Sequence, residues 1–243
     1  TVIYTAHGFH FYDGAPLLNW LIYYNVEKYL SKLTDVLITL NEEDYCRAKN
    51  FYARKVVKIP GVGIDLNRFK DLKINRNKKR EQLGITDGTV ALLSIGEMIK
   101  GKNHETILKA LAELKNENYV FLLCGRGKLL NYLKKLSCDL GISNKVKFLG
   151  FRNDIPEICI ASDIFIFSSY REGLPVSVME AMAAGLPIIA SRVRGNIDLI
   201  QNGEGGFLHN PKDIIGIARS IDKLIENREL RINMGQRNKE EIK

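Results

Sequence analysis

Ile164-Phe165-Ile166-Phe167, Ser168-Ser169-Tyr170, Arg171-Glu172-Gly173-Leu174-Pro175-Val176-Ser177-Val178-Met179-Glu180, Ala181-Met182-Ala183-Ala184-Gly185-Leu186-Pro187 and Ile188-Ile189-Ala190 follow one another without a break. The two outer runs are continuously apolar, as strands buried on both faces of a parallel sheet are. Pro175 suits the first turn of a helix, where its missing N–H is not needed. The segment therefore reads as strand, helix, strand, with the loop before Pro175 at a strand's carboxyl end, where open α/β sheets bind ligands. The unpaired N–H groups of a helix start, with Gly173 allowing close approach, suit a pyrophosphate. Glu180 falls about a turn and a half into the helix, placed to accept hydrogen bonds from ribose hydroxyls while Glu172 faces a sugar. By spacing alone the two carboxylates also fit an exposed loop charge and a solvated helix position. The apolar segment around Glu180 favours the first reading, because a charge there asks for a partner.

The same alternation extends outward from this unit. From Val90 onward strands are predicted at Val90 to Ile95, Val120 to Cys124, Val146 to Leu149, Ile164 to Phe167 and Ile188 to Ala190, with a short one at Gly206 to Leu208. Helices fill the gaps: His104 to Lys115 sets Ile107, Leu108, Leu111 and Leu114 on one face, and Leu129 to Leu140 does the same with its leucines. This is a doubly wound, Rossmann-like α/β domain. The first sixty residues offer only Val2 to Ala6, Val36 to Leu40 and Val56 to Pro60 as strands, with helices near Leu17 to Lys32 and Glu42 to Phe51. That is about half of a second such domain and would leave a sheet edge uncovered. With Thr1 at its start, the chain reads as a piece of a longer protein whose first sheet half is missing.

Composition sets the outer limits. The chain has 243 residues, 45% hydrophobic and 26% charged, enough for one full domain and part of another. Cys46, Cys124, Cys138 and Cys159 form no Cys-x-x-Cys pair, which argues against a disulfide framework or zinc site and for a reducing cytoplasm. No apolar run reaches the length of a membrane span. The net charge of +8 favours anionic partners without choosing among them. Seven of the thirteen residues from Arg68 to Arg80 are basic, but aromatic residues do not interleave as single-strand binding requires. That run reads first as a solvated connector, second as a membrane-facing patch and last as a nucleic-acid site.

Further loops fall at strand ends on the same expected edge. Gly96-Glu97-Met98-Ile99-Lys100-Gly101-Lys102-Asn103-His104 offers a lysine that reaches a diphosphate at the next helix start. Gly125-Arg126-Gly127 and Gly150-Phe151-Arg152-Asn153-Asp154 follow the next two strands. Each alone is a commonplace turn; their convergence is the signal. In the first segment Thr5-Ala6-His7-Gly8-Phe9-His10-Phe11 follows a strand, and His7 at its tip suits a proton shuttle, a sugar-hydroxyl partner or a turn residue. His7 and His10 lack a third ligand cluster, so a metal reading is poor. His104 and His209 read as structural or surface residues.

These residues resemble the retaining glycosyltransferases of family 4, of two-domain GT-B architecture, especially bacterial members that build capsular and exopolysaccharide repeat units. The resemblance covers nearly the whole chain. Its anchors are Thr5 to His10, Pro60-Gly61-Val62-Gly63-Ile64-Asp65, Lys102-Asn103-His104 and the Glu-x7-Glu motif from Glu172 to Glu180. It implies a partial N-terminal, acceptor-side domain over residues 1–62, a donor-binding domain over 63–227 and the start of a C-terminal helical segment over 228–243. It also implies that Lys102 neutralises the leaving diphosphate, Glu180 holds the ribose, and the amides of Gly173 and Leu174 meet phosphate or sugar oxygens. Gly125, Gly127 and Arg152 would line the base pocket, Glu172 would meet a sugar hydroxyl, and His7 would contact the donor sugar near the reacting carbon. Anomeric configuration would be retained through same-face attack, with no metal and no cofactor beyond the UDP-sugar donor. Many relatives carry an arginine where this chain has Glu97; a carboxylate cannot do that work, so Lys102, helped by Lys100, Arg126 or Arg171, must supply the charge.

The leading expectation is transfer of a hexosyl or N-acetylhexosaminyl unit from a UDP-sugar to a saccharide or lipid-linked saccharide at the inner membrane face, with no nucleic acid partner. Asn19-Trp20-Leu21-Ile22-Tyr23-Tyr24 and the basic excess suit peripheral attachment to anionic lipid, although the same aromatics serve more simply as core. A non-catalytic nucleotide-sugar-binding fragment or partner subunit is the second reading, and turnover separates the two. A GT-B epimerase is the third, and no carboxylate set is assignable to it.

Overall fold

A computed structural model of the chain describes residues 1–70 and 75–243, the Lys70 side chain excepted. It gathers into two compact units. The first comprises Thr1–Gly63, Glu172–Val176 and Arg194–Leu199, and the second Ile64–Arg171, Ser177–Val193 and Ile200–Lys243.

The first unit holds a three-stranded parallel sheet in the order β1 (Ile3–Ala6), β2 (Val36–Thr39), β3 (Lys55–Lys58). Its core sets the aromatic Phe9, Phe11 and Phe51 beside the aliphatic Ala6, Leu37 and Ala48, with Trp20 and Tyr24 packed against them. The expected helix from Leu17 to Lys32 is a succession of turns: α at Leu17–Asn19 and Asn25–Leu30, a wide π turn at Trp20–Tyr24, and a tight turn at Ser31–Leu33. The Asn25 amide donates to the Leu21 carbonyl at 2.7 Å across the wide turn, and the widening lets Trp20 and Tyr24 both face Phe11. The aromatic segment is thus divided. Trp20 and Tyr24 are core, while Leu17, Leu21, Ile22, Tyr23, Val26 and Tyr29 are exposed.

The second unit holds a six-stranded, all-parallel sheet built from β4 (Val90–Ile95), β5 (Tyr119–Cys124), β6 (Val146–Gly150), β7 (Ile164–Phe167), β8 (Ile188–Ser191) and β9 (Gly206–His209). Their spatial order is β6-β5-β4-β7-β8-β9. Chain direction across the sheet reverses between β4 and β7, and such a switch point opens a crevice outside the strands' carboxyl ends. Central strand residues Leu92, Phe121, Ile164 and Ile189 are buried against helix residues Ile107, Leu111, Ile217, Ile221 and Leu224. Each such side chain contributes about 1.5–3 kcal/mol by burial. The helices start and stop where the sequence directs: Asp213 and Asn227 cap the starts of Ile214–Glu226 and Arg228–Glu241, and Gly141 at φ 72° follows Leu130–Asp139.

Part of the basic run, residues 71–74, lies outside the described residues. Arg68 and Lys78 are exposed, as a solvated connector would be, but Arg76, Lys79 and Arg80 are not. Arg76 and Arg80 pair with Asp163 at 2.6 and 3.0 Å, and the same carboxylate accepts the Ala91 N–H at 2.8 Å. Lys79 pairs with Asp154 at 2.5 Å. Two partly buried carboxylates draw these cations inward, a feature that charge counting misses. Among the described residues no helix is long and apolar enough to cross a membrane.

Candidate functional site

In the second unit the loops after β4, β5 and β6 are laced together by their backbones. The Gly96 N–H donates to the Cys124 carbonyl at 2.9 Å, Met98 N–H to Arg126 at 2.7 Å, and Gly125 N–H to Gly150 at 2.8 Å. Gly125 has a φ of 143°, and a side chain there would run into the Gly96 carbonyl. A side chain at Gly127 would run into the backbone of Met98. These glycines are therefore required by neighbouring loops whether or not a ligand is bound.

The laced loops wall a cavity of about 500 Å³, within the size range of small-molecule sites, lined by Glu97, Gly125, Arg126, Gly127, Phe151 and Arg152 among others. Phe151 is exposed, and the Arg126 guanidinium lies 5.0 Å from its ring centre. The pair presents flat faces of the kind on which a base stacks. Arg152 donates to Asp154 from Nε at 2.7 Å and from Nη2 at 2.5 Å. The Arg152 guanidinium, helped by Lys79, holds the Asp154 carboxyl well below the usual carboxylate range. A larger hollow, of about 730 Å³, is lined by Leu66, Phe69, Gly185, Ile232 and Lys239. It does not open among the strand-end loops, so the smaller cavity is the better ligand site.

At the switch point itself Asn103 adopts the left-handed conformation, φ 53°, unusual for a residue other than glycine. Its amide donates to the Ser168 and Pro211 carbonyls at 3.0 and 2.7 Å, and its carbonyl accepts the Ser168 hydroxyl at 2.7 Å. These bonds tie the loop after β4 to the end of β7 and fix the turn that carries Lys102. The Lys102 ammonium lies 5.0 Å from the centre of the Phe167 ring. His104 starts the next helix, buried, with neither ring nitrogen in hydrogen-bonding geometry to another group. Burial pushes its pKa down to about 4, against an opposing effect of the Glu97 and Gly96 backbone.

Glu180 lies in the helix Val176–Ala184 among buried Val178, Met179 and Ala181. Burial pushes its carboxyl upward, opposed by the Arg68 guanidinium. Arg68 stands 3.9 Å away, the partner that the apolar setting demanded.

His7, Glu172, Gly173 and Leu174 belong to the first unit. His7 is exposed and Glu172 is largely buried. The backbone of Gly173 packs so closely on the His7 carbonyl that a side chain at 173 would collide with it. Thus the second unit brings Gly125, Gly127 and Arg152 to one cavity and presents Lys102 and Glu180 separately, while the first brings His7 to the Glu172–Leu174 loop. Sequence reading missed three participants: Arg68 beside Glu180, and the Asp44–Arg194 pair beside Phe9. Arg194 and Gly195 after β8 were the available signal, being another glycine-containing loop at a strand end. Asp44, 150 positions away in sequence, gave none.

Residues 75–241 match the family model described as glycosyl transferases group 1. EpsD of Bacillus subtilis (strain 168), a glycosyltransferase by name, is 41% identical over 240 residues, covering 97% of this chain and 63% of EpsD. The UDP-Gal:alpha-D-GlcNAc-diphosphoundecaprenol alpha-1,3-galactosyltransferase of Escherichia coli is 32% identical over 240 residues, covering 95% of this chain and 62% of that protein. The chain therefore spans somewhat under two thirds of the length of these curated relatives. Among solved structures, HepE of Anabaena in complex with UDP-glucose superposes with a TM-score of 0.86 at 24% identity, covering 98% of this chain and 66% of that one. WaaG, a glycosyltransferase involved in lipopolysaccharide biosynthesis, gives a TM-score of 0.83 at 22% identity, covering 98% and 69%. The fold is of the GT-B type, and the chain belongs to the group 1 glycosyl transferases.

Proposed function

We propose that the protein is a retaining, metal-independent glycosyltransferase of family 4 that moves a hexosyl or N-acetylhexosaminyl unit from a UDP-sugar to a saccharide or lipid-linked saccharide in cell-surface polysaccharide synthesis. The observation that carries this reading is the cavity at the carboxyl ends of the strands, with Lys102 fixed at the switch point and Glu180 on the helix after β7. The E. coli relative, named for a UDP-galactose donor and a diphosphoundecaprenol-linked acceptor, supports the substrate class.

In this reading Arg126 and Phe151 take the base, with Gly125, Gly127 and Arg152 forming the pocket wall. Glu180 accepts hydrogen bonds from the ribose hydroxyls. Its raised carboxyl pKa suits this, because desolvated charge gains most from new donors. Cleavage of the glycosyl–phosphate bond builds negative charge on the departing diphosphate. Lys102 and the Gly173 and Leu174 amides answer that charge, and groups fixed in advance spend no energy reorganising during the reaction. Glu172 and His7 act on the sugar, with His7 near the reacting carbon. Glu97 supplies no positive charge, so Lys100, Arg126 or Arg171 assists Lys102. The exposed Leu17, Leu21, Ile22, Val26 and Tyr29, with Lys28 and Lys32 on the same segment, suit peripheral contact with an anionic membrane that holds a lipid-linked acceptor.

The test uses the native-length protein with UDP-glucose, UDP-galactose and UDP-N-acetylglucosamine in EDTA, with an undecaprenyl-diphosphate-linked sugar as acceptor. UDP release, and a product of the donor's own anomeric configuration by NMR, are expected for one donor. Nucleotide binding without transfer to any acceptor would support a non-catalytic binding module instead.

A further inference from the structure

We propose that Arg194 and Asp44 form a positioning pair that sets the Glu172–Leu174 loop against the His7–Phe9 loop in the geometry glycosyl transfer requires. This deepens the transferase reading and rests on it. Within the first unit the Arg194 guanidinium is held on several sides. Nη1 donates to Asp44 Oδ1, Nη2 to the Phe9 carbonyl, and Nε to the Glu172 carbonyl at 3.2 Å, while the Tyr12 ring centre lies 5.1 Å from the guanidinium carbon. The other Asp44 oxygen accepts the Phe9 N–H at 3.2 Å and the Asn41 amide at 2.8 Å. The N–H and C=O of Phe9 are therefore both held by the two members of one ion pair, and the same guanidinium holds Glu172. The side chains of Arg194 and Asp44 are 2% and 0% exposed.

So buried a pair is a poor source of stability, because desolvating two charges offsets most of their attraction. What it supplies is fixed direction. The planar fork of arginine reaches a carboxylate and two carbonyls at once, which a lysine ammonium on a flexible stem does not reproduce. The held atoms are one residue from Gly173 and two from His7, and Gly173 packs directly on the His7 carbonyl. Neither loop shifts without the other while the pair is intact. Reacting groups misplaced by as little as 1 Å lose about a hundredfold in rate, so a pair acting in this way shows its effect in kcat.

The test compares native-length wild type with Arg194→Lys and with the double variant Arg194→Met, Asp44→Asn, which removes the buried charges together and keeps an acceptor for the Phe9 N–H. UDP affinity is measured by calorimetry. UDP release is followed with UDP-glucose, UDP-galactose and UDP-N-acetylglucosamine as probes. Folded variants are expected to lose about a hundredfold in kcat, with a smaller loss of UDP affinity because the Gly173 and Leu174 amides move with the loop, and with no rescue by lysine. Wild-type kcat in the folded double variant, a loss of UDP affinity as large as the loss of kcat, or unfolding of both variants would overturn the inference. Wild type that binds no UDP would overturn the transferase reading and this inference together; wild type that binds and turns over beside fully active variants would overturn this inference alone.

Discussion

Replacing Gly125 by alanine separates two reasons for a glycine at a strand end, close approach by a ligand and close approach by another loop. The φ of 143° lies where side-chain-bearing residues are strained, and the new methyl group would meet the Gly96 carbonyl, a backbone atom that cannot rotate away. The conformation costs about 1–3 kcal/mol and the overpacking about 1–3 kcal/mol more. The Gly96–Cys124 and Gly125–Gly150 hydrogen bonds, 2.9 and 2.8 Å, are the ones that must give. Gly125→Ala is therefore expected to lower the unfolding free energy by about 2–6 kcal/mol in the absence of any ligand. In urea, with a slope of about 2 kcal/mol per molar, the midpoint falls by about 1–3 M with an unchanged slope. Gly101→Ala serves as control, since nothing lies within 4 Å of its added carbon; it should stay within about 0.5 kcal/mol of wild type. A Gly125→Ala protein that unfolds at the wild-type midpoint but no longer binds nucleotide would refute the loop-packing argument and assign the glycine to the ligand.

Three other predictions concern the same unit. The Asp154 carboxyl is held below its unfolded pKa, chiefly by Arg152. Its contribution to stability is thus complete above about pH 4, the unfolded value, and is lost as pH falls toward the folded pKa; Asp154→Ala should flatten that part of the acid unfolding profile. His104 is kept neutral by burial, with a pKa of about 4 against 6.5 unperturbed. The unfolded chain takes up that proton first, so stability falls between those two values by about 3 kcal/mol, and chemical unfolding of His104→Leu at pH 7 and pH 4.5 should show a smaller drop than wild type. Phe151→Ala removes a stacking face worth about 1–3 kcal/mol per base, which calorimetry should record as UDP binding weakened by about ten- to a hundredfold without a change in unfolding midpoint.

The larger sheet was legible because its strands are buried on both faces and therefore appear as unbroken apolar runs; β4 and β7 fall where Val90 to Ile95 and Ile164 to Phe167 were expected. Their order across the sheet was not, since hydrophobic pattern records burial and carries no information on which strand pairs with which. The Leu17 to Lys32 segment read as one helix because helix periodicity does not register a single wide turn. Arg76 and Arg80 read as solvated because charge is visible in sequence and their partner, Asp163, is not. Asp44 and Arg194 escaped notice for the same reason, and the gathering of Glu172–Val176 with the first unit is likewise a fact of tertiary contact. Loops at strand ends were found because glycine and a helix start mark them locally.

The most direct test of a nucleotide-diphosphate site in this chain is calorimetric titration of wild type and Glu180→Ala with UDP and with GDP in the presence of EDTA. Two ribose hydroxyls donating to a half-buried carboxylate should contribute about 2–4 kcal/mol. The expected result is UDP binding that survives the chelator, exceeds GDP binding, and weakens by about thirtyfold or more in Glu180→Ala. A folded wild-type chain that binds neither nucleotide, or a Glu180→Ala variant that binds UDP as tightly as wild type, would contradict the donor-site assignment.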